Sequence, residues 1–201
     1  DTSVDAEALN DVDDLTTGLV TVSSATTLTG SQAEVETALT SNDDDPEDDD
    51  TITGLDDVNV ELSDAANTSA EIRAIIDLTN GSVTATASDN DLASLLDAAT
   101  GLTGTGHVIT VTVTDAAVSA SDMNDLNAIT TVDVITTDAV AEITGSAANI
   151  VTALTADGFS GFEADIAATV DDGNATVTQV NQIINETTGV VTATVSTSSL
   201  D

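Results

Sequence analysis

The chain has 201 residues, with 37 acidic side chains against one basic one, Arg73, and a formal net charge of −36. Phosphate backbones and anionic membrane surfaces are held by clustered Lys and Arg, so nucleic acid is excluded as an expected partner, and cations, calcium above all, are the natural counter-charges. Two aromatics and no Cys remove stacking platforms, disulfides and thiolate metal sites, while a 40% hydrophobic content is too high for a plain acidic tail and predicts a thin aliphatic core.

The first element is ALNDVDDL at 8–15. Leu9, Val12 and Leu15 recur every three residues and predict one apolar stripe on a short helix. Two to three turns are too few for stability alone, so the helix must pack on a neighbour. Thr-Thr-Gly follows, with Gly18 expected as a left-handed cap, and then LVTVSS as an alternating strand. A second helix type starts at LTGSQAEVETAL (28–39), with Ser31 as N-cap and Glu34 at the capping-box position.

The run DDDPEDDD follows. Asp43, Asp44, Asp45, Glu47, Asp48, Asp49 and Asp50 offer dense oxygen ligands for calcium, with Asp56 and Asp57 nearby. No Asp-x-Asp-x-Asp-Gly loop with a distal Glu accompanies them, and a solvated charge run is the competing reading.

The first helix type returns as Ile72, Ile75 and Leu78, capped at Gly81, with SVTATAS as its strand; a related helix is expected at 91–99. HVITVTVTD opens another strand at the only His, His107, for which the sequence offers no nucleophile elbow or second base. No catalytic residues and no required cofactor are expected.

From residue 116 the series restarts. Met123, Leu126 and Ile129 repeat the first stripe, ITGSAANIVTAL (143–154) repeats the second helix type with Ser146 as N-cap, and Val180 and Ile183 repeat the third before Gly189 and VVTATVS. The offset is 114 from Leu9 to Met123 but 108 from Ile72 to Val180, and the eight-residue acidic run, present only in the first copy, is the visible cause of the shortening. The first block is therefore 1–115, with its insertion at 43–50, and the second, shorter block is 116–201. The fold class is α/β: tandem short-helix–strand repeats forming a solenoid-like array, or two tandem α/β repeat domains.

Remaining features are weaker. Phe159 and Phe162 are either core filling or an interface anchor between subunits. Asn67, Asn80, Asn174 and Asn185 stand in glycosylation sequons. Thr84 and Thr86, Thr110 and Thr112, and Thr192 and Thr194 form hydroxyl rows that read as the polar side of half-buried strands. Arg73 fills the slot held by Asn10, Asn124 and Asn181, read as a variable outer position with a neighbouring acid as the expected partner of Arg73. No apolar run approaches the roughly 18 residues of a membrane span, so no membrane insertion is expected. The start at Asp1, with no signal peptide, reads as a processed chain or a piece of a longer one.

SASDMNDLNAITT, EITGSAANIVTAL and TTGVVTATVS resemble the degenerate repeats of very large bacterial cell-surface proteins, notably of cyanobacteria. The resemblance implies an extracellular or cell-surface location and a structural or adhesive role, with a filament of identical copies as one form. The expectation is an extracellular structural repeat protein, self-associating head to tail, with glycans as further partners. The alternative is a calcium-dependent adhesin module or spacer of a giant surface protein.

Overall fold

The computed structural model describes residues 2–42, 52–171, 173 and 175–196. The chain divides into two compact units, one of residues 1–88 and 98–109 and one of residues 89–97 and 110–201.

In the first unit the elements run β1 (Ser3–Asp5), α1 (Ala6–Asp14), β2 (Val20–Thr21), β3 (Thr27–Gly30), α2 (Gln32–Thr40), β4 (Ile52–Thr53), β5 (Asn59–Leu62), α3 (Ser69–Ile76) and β6 (Val83–Thr86). Its main sheet has the order β1-β3-β5-β6 and continues to β7 (Val108–Thr110); β2 and β4 form a separate pair. Ser3 faces Thr27, Thr27 faces Asn59 and Val60 faces Val83, all in parallel register. Parallel neighbours need a crossover, and α1, α2 and α3 supply it.

The second unit takes in α4 (Leu92–Leu95), β8 (Thr112–Val113), β9 (Ala117–Ser119), α5 (Ala120–Ile129), β10 (Val134–Thr136), β11 (Glu142–Gly145), α6 (Ala147–Thr155), β12 (Phe159–Ser160), β13 (Ala167–Val170), α7 (Val177–Glu186) and β14 (Val191–Thr192). Its sheets, β9-β11-β13-β14 and β8-β10-β12, are parallel throughout. The class is thus mixed α/β with parallel sheets and seven helices among the described residues.

Each helix begins where a side-chain oxygen satisfies an otherwise orphaned N–H, at Asp5, Ser31, Thr68, Asp91, Ser119, Ser146 and Thr176. Ser31–Glu34 closes the expected capping box, and Thr68–Glu71 and Thr176–Gln179 close two more. At Asp91 the Ser94 backbone N–H holds the carboxyl below its ordinary range.

The core is aliphatic. Ile72, Ile75, Met123, Leu126, Ile150 and Ile183 are fully buried helix residues, and Leu28, Val60, Ile143 and Ala168 meet them from the strands. Each large side chain contributes about 1.5–3 kcal/mol, which is what helices of eight to ten residues need from packing.

Three expectations change. LVTVSS yields only Val20–Thr21 as strand, and the main sheets are built instead from strands that precede helices, such as TLTG at β3 and EITG at β11. HVITVTVTD breaks at Val111 into β7 and β8. Gly18, Gly81 and Gly189 are not left-handed caps, for none has a positive φ. Gly81 and Gly189 are needed for close approach: a Cβ would lie 2.0 Å from the Val58 carbonyl oxygen at Gly81, and 2.2 and 2.3 Å from those of Asp165 and Ile166 at Gly189. Beside them, Thr79 donates to the Asp56 and Val58 carbonyls and Thr187 to those of Ala164 and Ile166.

The acidic run lies between α2 and β4, outside the described residues. Its flanks are tied: the Ile52 N–H donates to the Ser41 carbonyl at 3.0 Å and the Leu55 N–H to Asn42 Oδ1 at 3.0 Å.

Candidate assembly interface

Two helix pairs, α1–α2 and α5–α6, are joined sideways by the same kind of bond. Asn10, the fifth residue of α1, donates through Nδ2 to the carbonyl of Glu34, the third residue of α2, at 3.0 Å. Asn124, the fifth residue of α5, donates to the carbonyl of Asn149, the third residue of α6, at 3.1 Å. Arg73, the fifth of α3, reaches the Gly101 carbonyl at 3.2 Å while its Nε pairs with Asp77 at 2.9 Å. The acid partner expected for Arg73 is therefore present. At Asn10, Asn124 and Arg73 the slot supplies an N–H donor that crosses to a later segment.

The first apolar stripe is unequal between copies. In α5, which packs between α4 and α6, Leu126 is 0% and Ile129 7% exposed. In α1 only Leu9 of the stripe is buried; Val12 is 52% and Leu15 88% exposed, and Leu19 joins them at the surface. At the other end of the element series, Ile184 of α7 and Val190 are exposed as well.

The remaining candidates separate. Phe159 and Phe162 are half-buried with ring centroids 5.3 Å apart and planes at 51°, so each ring partly covers the other. Asn80 and Asn185 are exposed. Asn67 is 4% exposed, with its amide nitrogen on Asp64 Oδ2 and its backbone bonded to Thr86 and Ser88, so a glycan on that nitrogen does not fit the folded chain. Asn174 and the seven acids of 43–50 lie outside the described residues, among which no group of three or more His, Asp or Glu side chains is arranged to hold a metal ion.

His107 is buried and accepts the Val83 N–H through Nδ1 at 3.2 Å; desolvation lowers its pKa. Thr84, Thr86 and Thr112 are half-buried, whereas Thr110, Thr192 and Thr194 are exposed. Open hollows lie beside Asp56, Asp57 and Asn59, about 450 Å³, and beside Asn80, Gly104 and His107, about 410 Å³. No described helix is long and apolar enough to cross a membrane.

Compared by sequence and by fold, the chain matches no family model, no curated protein and no solved structure.

Proposed function

We propose that this chain is a non-enzymatic, extracellular structural protein, built as a solenoid-like array of strand–helix steps and associating with copies of itself, head to tail, as a surface filament or layer. The observation that carries the reading is the bare stripe of α1. Val12 and Leu15 hold the places that Leu126 and Ile129 hold in α5, and they are exposed where those are buried. An apolar stripe rimmed by carboxylates marks a surface that gains from being covered.

The array reading is supported by side-chain bonds that recur at closely similar sequence steps. Thr29 bonds Val4, Thr144 bonds Val118 and Thr188 bonds Ala164 across 25, 26 and 24 residues. The element order from β1 to β6 also recurs from β9 to β14. A contact between unlike ends of identical chains does not close on itself unless the rotation makes a ring, so it extends. With net charge −36 the copies repel, and salt that shortens the screening length below about 8 Å favours joining.

Negative-stain microscopy and sedimentation velocity, run from low to high salt with and without calcium, test the proposal. Linear or sheet-like assemblies that grow with salt are expected. Monodisperse monomers under every condition overturn it.

A further inference from the structure

We infer that the head-to-tail joint is a continuation of the helix ladder, in which Asn181 of α7 in one copy donates to the Ala8 carbonyl in α1 of the next. The inference rests on the self-association proposed above and specifies its partner surfaces. In α1 and α5 the fifth residue is an Asn whose amide bonds the carbonyl of the third residue in the following helix, and Arg73 fills the same place in α3. Asn181 is the fifth residue of α7; it is exposed, and its side-chain amide bonds no other described residue. The acceptor that fits it is the third residue of a helix laid alongside, and in α1 that residue is Ala8.

Three further observations choose a second copy's α1 over other occupants. The face of α1 that a preceding helix would cover is the one left apolar and open, at Val12 and Leu15, and α7 brings exposed Ile184 to the joint. Charge favours unlike ends: α1 carries Glu7, Asp11, Asp13 and Asp14, whereas α7 carries only Glu186. Pairing two α1 faces confronts acid with acid, but α7 against α1 does not. Finally, β1 and β14 are edge strands of parallel sheets, so the same step also extends the ladder of strands.

The chain has no Cys, which makes site-directed cross-linking clean. Full-length Ala8→Cys and Asn181→Cys are prepared separately and treated with a short bis-maleimide, alone and as an equimolar mixture, at salt that supports association. The mixture is expected to give cross-linked dimer at least tenfold above either variant alone. In parallel, Asn181→Ala is expected to weaken association about tenfold, as loss of one hydrogen bond does, with thermal stability unchanged. Assemblies in which either single variant cross-links with itself, or in which Asn181→Ala associates like the parent, overturn the joint but leave self-association standing. A chain that stays monomeric throughout overturns both and leaves the α1 face to a different occupant.

Discussion

At the residue scale, single atoms decide whether neighbouring segments can touch. Gly81 and Gly189 carry no Cβ because a carbonyl oxygen occupies its place, whereas a Cβ at Gly18 would meet only Thr16 Oγ1 at 3.5 Å. Gly81→Ala and Gly189→Ala are expected to cost about 1–3 kcal/mol or more in urea denaturation, and Gly18→Ala to stay within about 0.5 kcal/mol. His107 gives a pH signature. Burial lowers its pKa from the ordinary value near 6.5, so the unfolded ring takes up its proton first. Its contribution to stability is complete above that value and is lost as pH falls through the folded pKa. The thermal midpoint is expected to drop between pH 7.5 and 5.5, and His107→Asn to flatten that slope. These residue roles were only partly legible in the sequence. Thr-x-Gly stood out, but as a cap, because a close approach depends on a carbonyl over twenty residues away. The Asn slot was hidden by its own variation, since Asn and Arg share a donor rather than a name.

At the scale of elements, most of the helices were written plainly. Ser N-caps placed the starts of α2 and α6, and stripe spacing placed α5, because capping and periodicity are local. Strands were harder: β3, β5 and β13 have four residues each, and β3 ends at Gly30, so little alternation shows. Their pairing comes from the helix that returns the chain, which no local pattern records. The same stripe has different energies in different places. Leu126→Ala is expected to cost about 2–5 kcal/mol, because it empties a packed site, whereas Leu15→Ala is expected to stay within about 0.5 kcal/mol in the isolated chain. Chemical denaturation of both variants at low salt checks the contrast. Equal losses would mean that α1 is already covered in solution.

At the scale of the whole molecule, composition sets the terms. A chain with net charge −36 and two aromatics relies on many small aliphatic contacts and on backbone bonds. The acidic run stands in only one of the two sequence blocks, and Ser41 and Ile52 on either side of it are hydrogen-bonded to each other. Deleting 43–50 is expected to leave circular dichroism unchanged and to move the thermal midpoint by only a few degrees, because loop length changes closure entropy slowly. A collapse of the first unit on deletion would show that the run is structural. Which side chains of α1 and α7 stay uncovered was not legible in the sequence, because exposure depends on how the helices pack.

Arg73 has a consequence of another kind. It is the sole residue after which a trypsin-like protease can cut, and its guanidinium is engaged by Asp77 and by the Gly101 carbonyl, within a helix. A protease needs an extended, accessible segment, so the folded chain offers such enzymes nothing, and an opened one offers a single bond. Digestion is expected to yield only two fragments, 1–73 and 74–201, at a rate set by the opening of α3. The molecule thus carries its own gauge of local unfolding.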